Sequence, residues 1–299
     1  MSSASAIRRL FRWVLNQVQT LDEKSFTIDK VLNYCHLEPE ENETTAKVEV
    51  DGDWPLKGSI EYKNVTLSYD NEKNVLDNVS FKITDGQKIG IVGRTGAGKS
   101  SLVTVLFRLA KFSGQISIDG VDSNSIQLKK LRETVSIIPQ DPILFSGSIR
   151  KNLDPFNDYS EVDLWRALKD TNMDTFVEKL DDKLDANISE KGGNISVGQK
   201  QLLCMARAIL RQTKILVLDE ATANVDHETD QLIQGTIRRK FKHCTVMTVA
   251  HRINTIIDFD RIMVMADGKL VEFDSPSSLM DKKGHFYKMA QKAGINSII

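Results

Sequence analysis

Gly93-Arg94-Thr95-Gly96-Ala97-Gly98-Lys99-Ser100 fills the pattern G-x-x-x-x-G-K-S in full. It follows the apolar run 88–92 and precedes a helical stripe, which is the context such a loop needs. The glycines let the backbone curl so that successive N–H groups point inward. The N-terminus of the next helix adds partial positive charge. A concavity of that kind cradles phosphate oxygens. Lys99 would reach the β- and γ-phosphates of a nucleotide, with Ser100 as a ligand for Mg²⁺.

Two further groups of residues could do related chemistry. Ile215-Leu216-Val217-Leu218 runs straight into Asp219-Glu220. A buried strand that ends in a carboxylate would put Asp219 beside the phosphates, where it can hold Mg²⁺ or its waters. Glu220, one residue further, is placed to polarise an attacking water. The third group is Ser196-Val197-Gly198-Gln199, opening an apolar helix that contains Leu202, Leu203, Met205, Ala206, Ile209 and Leu210. A short Ser/Gly turn at a helix N-terminus is again an anion-binding device. Either this turn is a plain capped helix, or it meets a nucleotide held elsewhere, since the phosphate loop already has its own helix.

The elements that must position these groups follow from periodicity. Residues 59–69 and 75–83 are rich in β-formers, and 88–92 reads as a short buried strand. A helix is predicted from Lys99 to Ala110 with Leu102, Val103, Leu106 and Leu109 on its inner side. Residues 140–212 lack clear strands and read as mostly helical. Strand signals return at 215–219, 245–250 and 261–273, with Asp267-Gly268 as a hairpin turn, and a helix is predicted over 228–241. This alternation implies an α/β fold with a mostly parallel sheet, an antiparallel β-subdomain at its start and a helical insertion over about 140–212; with the Gly93–Ser100 loop it reads as a P-loop NTPase core.

The first residues are of another kind. Ile7, Leu10, Phe11, Val14, Leu15, Val18 and Leu21 recur every three or four positions, with Arg8, Arg9 and Arg12 near the start. This amphipathic stripe is either a helix on the chain's own core or the end of a helix from a missing membrane domain. Residues 38–58 carry seven acids against two lysines and read as a linker, so the folded domain is expected to begin near Ser59. Across all 299 residues 40 basic side chains face 41 acidic ones, which argues against a partner nucleic acid bound through bulk charge. No apolar run reaches the roughly 18–20 residues of a membrane span. Cys35, Cys204 and Cys244 form neither a CxxC pair nor a disulfide framework.

Ser196–Gln199 resembles the LSGGQ signature of ATP-binding cassette (ABC) ATPases, with Ile195 and Val197 in place of the first Leu and the first Gly. Other positions are similar to that family in order and spacing from about residue 59 to 285. Gly-Arg-Thr-Gly-Ala-Gly-Lys-Ser-Ser (93–101), Lys-Asn-Leu-Asp-Pro-Phe (151–156) and Glu-Ala-Thr-Ala-Asn-Val-Asp (220–226) resemble the second cassette of C-subfamily, multidrug-resistance-associated exporters. The resemblance implies the ABC ATPase fold over 59–299 and binding of ATP with Mg²⁺. It implies that Tyr69 stacks on adenine and that Gly93, Arg94, Thr95, Gly96, Ala97, Gly98, Lys99, Ser100 and Ser101 hold the phosphates. Ser100, Gln140 and Asp219 would serve the metal, and Glu220, Gln140 and His251 the hydrolysis. Ser196, Val197, Gly198, Gln199 and Asp226 would act across a head-to-tail dimer with a second cassette. Residues 1–37 would be the tail of the last transmembrane helix, and the parent protein an exporter with its cassettes at the cytoplasmic face of a membrane. The alternatives are a regulatory module that binds ATP with little hydrolysis, or a soluble cassette ATPase that transports nothing. A GTPase is disfavoured because Asn-Lys-x-Asp is missing.

Overall fold

Helix α1 (Ser3–Cys35, 33 residues) belongs to one unit, Met1–Ala46, and everything from Lys47 to Ile299 to another. In α1 the apolar residues lie three and four apart and so share a face. Ile7, Leu10, Phe11, Val14, Leu15, Val18 and Leu21 are 44–66% exposed and form an apolar face of this unit. No described helix is long and apolar enough to cross a membrane. The computed structural model describes residues 3–37, 39–41, 48–70, 73–189, 192–221, 225–250 and 252–295.

The second unit opens with β1 (Ile60–Ser68), β2 (Asn74–Ile83) and β3 (Lys88–Gly93). Helix α2 (Lys99–Leu106), β4 (Ser113–Ile118), β5 (Val121–Asp122), α3 (Leu128–Thr134) and β6 (Val135–Ile138) follow. The insertion holds a two-stranded ladder, β7 (Gly147–Ser148) with β8 (Asn187–Ile188). Around it lie α4 (Ile149–Leu153), α5 (Glu161–Asp170), α6 (Asp174–Glu178) and α7 (Val197–Arg211). Then come β9 (Ile215–Asp219), α8 (His227–Lys240), β10 (Thr245–Val249), β11 (Arg261–Ala266), β12 (Lys269–Asp274), α9 (Pro276–Lys282) and α10 (His285–Lys292).

The main sheet has the order β12-β11-β3-β10-β9-β6, parallel except for the β11–β12 hairpin. Its central strands β3, β10 and β9 are buried along nearly their whole length, because both faces of the sheet are covered. The period of two sorts the side chains. Ile89, Ile91, Ile215, Val217, Met247 and Val249 share one core with α2, while Leu216, Leu218 and Val246 share another with α7 and α8. A second, antiparallel sheet, β2-β1-β4-β5, joins the first core. There Tyr62 stacks on Phe81 (centroids 4.3 Å) and its hydroxyl donates to the Leu102 carbonyl of α2 at 2.9 Å.

Three expectations need correction. Helix α2 stops at Leu106, and Arg108 turns the chain at φ 50°, so Leu109 leaves the helical stripe and is 61% exposed. Residues 48–58 are seated on the folded unit rather than forming a linker. Val48 N–H donates to the Ser125 carbonyl, Trp54 is 8% exposed, and the Asp119 carboxylate accepts from the N–H groups of Lys57, Gly58 and Ser59 at 2.7–3.1 Å. The insertion carries the β7–β8 ladder that its composition hides.

Candidate nucleotide site

The phosphate loop leaves β3 at the C-terminal end of the parallel strands, where ligands of open α/β sheets sit. Arg94, Thr95 and Gly96 are exposed, while Ala97, Gly98 and Lys99 are buried. Gly98 caps α2 in the left-handed region (φ 94°), and a Cβ there would lie 2.8 Å from the Val75 carbonyl oxygen. Only glycine fits that pinch. Lys99 is 6% exposed, and its ammonium donates to the carbonyls of Gly93 and Arg94 (3.2 and 3.3 Å). Carbonyl dipoles solvate the charge without cancelling it, which is the chemistry of a site built for an anion.

Strand β10 stands between β3 and β9, with Val249 level with both Ile91 and Asp219. This register brings the end of β9 to the start of α2. Ser100 Oγ donates to Asp219 Oδ1 at 3.2 Å. A hydroxyl beside a carboxylate is a hard-oxygen donor pair that fits Mg²⁺. Glu220 is half-buried, at φ 51°, with its N–H donating to the Val249 carbonyl at 3.0 Å. A non-glycine residue in that region marks a spot where the surroundings dictate the backbone. Tyr69 is 60% exposed, and its hydroxyl reaches Ser101 Oγ at 3.4 Å, so an aromatic face borders the loop.

The signature turn is built by α7 itself. Ser196 is an exposed N-cap that accepts from the Gln199 N–H (3.2 Å), and Gln199 Oε1 accepts from the Ser196 N–H (2.9 Å). Gln199 is therefore spent on a capping box. Gly198 is buried, and a Cβ there would lie 2.9 Å from Thr229 Cγ2 on α8; Val197 is 43% exposed. Asp226 caps α8, accepting from Thr229 N–H (2.9 Å) and Thr229 Oγ1 (2.7 Å), which holds its carboxylate below the ordinary range. Gln140 is exposed, two residues past β6. His251 lies outside the described residues, as do Thr222, Ala223 and Asn224.

Lys99, Ser100, Asp219 and Glu220 thus converge at the C-terminal end of the parallel strands, with Tyr69 alongside. Ser196, Gly198 and Asp226 gather instead at the α7–α8 junction. Sequence reasoning missed Gln201, which is 1% exposed and donates from Nε2 to the carbonyls of Pro139 (3.0 Å) and Gln140 (2.9 Å). Its signal is a polar residue on the apolar side of α7.

The family model for ABC transporters matches residues 76–223. The chain is 48% identical over 300 residues to ATP-binding cassette sub-family C member 2 of Homo sapiens, covering 100% of this chain and 19% of that protein. It is 46% identical over 296 residues to sub-family C member 4 of Homo sapiens (98% and 22%). Bile pigment transporter 1 of Saccharomyces cerevisiae is 44% identical over 314 residues (98% and 20%). The chain spans about a fifth of the length of these relatives. Among solved structures, a bacterial Atm1-family ABC exporter with ATP bound is similar with a TM-score of 0.82 and 30% identity, over 93% of this chain and 49% of that one.

Proposed function

Because the chain belongs to the ABC transporter family of ATPases, we propose that it is the ATP-hydrolysing motor of an exporter, the C-terminal cassette of a C-subfamily protein. The observation that carries this reading is the Ser100–Asp219 hydrogen bond, which closes the phosphate loop against the acidic strand. The N–H groups of residues 94–101 and the Lys99 ammonium bind the β- and γ-phosphates, and Tyr69 stacks on adenine. Ser100, Asp219 and Gln140 would hold Mg²⁺, which offsets phosphoryl charge when bound. Glu220 orients a water and takes its proton, assisted by His251.

Ser196 and Gly198 serve the γ-phosphate held by a facing cassette in a head-to-tail dimer, with Asp226 at the crossing. The exposed stripe of α1 continues from the parent's transmembrane domains, which keeps the cassette at the cytoplasmic face of the membrane. ATP favours the closed dimer and so moves the attached domains.

Glu220→Gln tests the assignment. Nucleotide binding is expected to persist while phosphate release falls about 10²–10⁴-fold, the usual worth of a general base. Unchanged turnover in the variant removes Glu220 from the chemistry. A parent chain that binds ATP but releases no phosphate favours the regulatory alternative.

A further inference from the structure

We infer that Gln201 is a positioning residue for Gln140, clamping the loop after β6 to the first turns of the signature helix α7. What Gln140 does there rests on the functional reading above, whereas the clamp rests on geometry alone. The Gln201 side chain is 1% exposed, and its Nε2 bridges two consecutive carbonyls, Pro139 at 3.0 Å and Gln140 at 2.9 Å. Those two acceptors fix the amide's orientation, because the flipped form would set Oε1 against both carbonyl oxygens. Oε1 is left buried with no hydrogen-bond partner among the described residues. A buried amide with an orphan acceptor is a poorer core residue than an apolar side chain of equal shape. The position therefore gains from glutamine only through its two donors.

The same turns of α7 hold two other groups. Ser196 and Gln199 cap each other, and Gly198 lies so close to Thr229, which Asp226 holds at the start of α8, that a Cβ there would come within 2.9 Å of the Thr229 methyl. A contiguous hydrogen-bonded and packed assembly thus joins the Gln140 loop, the Ser196 turn and the Asp226 turn. A shift of the Gln140 loop is passed to the turn that meets a facing cassette through fixed contacts rather than through a flexible tether. Gln201 touches no nucleotide atom in this scheme. It acts by fixing where the Gln140 backbone sits, and hence where the exposed Gln140 side chain starts from.

The test uses the full chain carrying Gln201→Met, which keeps the length and helix preference of the side chain and deletes both donors. Hydrogen exchange of the amides of Gln140, Asp141 and residues 143–145 is expected to speed up about tenfold, the equivalent of one net hydrogen bond, with exchange in β9 unchanged. With ATP saturating, the Mg²⁺ concentration for half-maximal hydrolysis is expected to rise, while nucleotide affinity measured in EDTA stays at the parent's value. On a Gln140→Ala background, Gln201→Met is expected to add nothing further to the Mg²⁺ requirement. Unaltered exchange of the Gln140, Asp141 and 143–145 amides in folded Gln201→Met overturns the clamp, and full additivity with Gln140→Ala overturns its route through Gln140. If Gln201→Met does not fold, Gln201→Asn, one methylene too short to bridge the carbonyls, is read the same way. A parent chain that fails to bind ATP overturns the functional reading, while the exchange measurement still decides the clamp.

Discussion

Two glycines of the phosphate loop separate what the loop needs for folding from what it needs for its ligand. Gly96 (φ 80°) and Gly98 (φ 94°) both sit in the left-handed region. Alanine at either position costs about 1–2 kcal/mol for the backbone conformation alone. Their surroundings differ. No atom of the described residues lies within 4 Å of a Cβ on Gly96, whereas one on Gly98 meets Val75 O at 2.8 Å and Leu76 Cδ2 at 2.9 Å. A backbone carbonyl cannot swing aside, so Gly98→Ala carries a further overpacking cost of about 1–3 kcal/mol.

For a unit of this size each kcal/mol moves the melting temperature by about 2–4 °C. Gly98→Ala is therefore expected to melt clearly below Gly96→Ala. In Gly96→Ala the methyl projects into the open side of the loop, where an anion would approach, so nucleotide affinity falls in a domain that melts only slightly early. The assay is thermal denaturation of both variants, paired with titration of a fluorescent ATP analogue. Equal melting temperatures would refute the pinch at Val75. Full affinity in Gly96→Ala would refute the loop's open face as the phosphate side.

Tyr62→Phe removes the buried donor to Leu102, so urea denaturation should show a loss of about 1–3 kcal/mol, and a smaller loss would mean that the bond does not tie the antiparallel sheet to α2. Stability should also depend on acid through three carboxylates. Desolvation raises the pKa of Asp119, but the N–H groups of Lys57, Gly58 and Ser59 and the Ser59 hydroxyl together bring it below the ordinary value. Asp274 is held low by Lys282, the Ser275 N–H and the Ser278 hydroxyl, and Asp226 by Thr229. With folded pKa values depressed, their contribution is complete above the unfolded value of about 3.9 and is lost as pH falls through the folded values. The urea midpoint should hold near neutrality and drop in acid; Asp119→Asn should flatten part of that drop, and an unchanged acid slope would contradict the role given to Asp119.

The residues that do local chemistry were the legible ones. Gly93–Ser100 needs only a strand before it and a helix after it, and Ile215–Glu220 announces its own burial and its acidic end. Asp267-Gly268 likewise states its hairpin, with φ 48° and 76°. Strand β4, Ser113–Ile118, was harder to see because three of its residues are exposed and its pattern breaks the alternation. Strand β6 is four residues long and starts directly after α3, so no turn residue separates the two. Residues 48–58 hid behind their acids, because the seat depends on Trp54 and on an aspartate 61 residues downstream of Gly58. Gln201 shows in the sequence only as a polar residue on an apolar helix face, because its partners are backbone carbonyls about 60 residues upstream that no spacing rule encodes.

The most direct measurement is the initial rate of ATP hydrolysis by the purified chain across a wide range of concentration, alone and with a second cassette added. If a γ-phosphoryl group is cleaved between Lys99 of one cassette and Ser196 of the one facing it, turnover per molecule rises with concentration and with the added cassette. A rate per molecule that stays constant in both series would contradict the shared site.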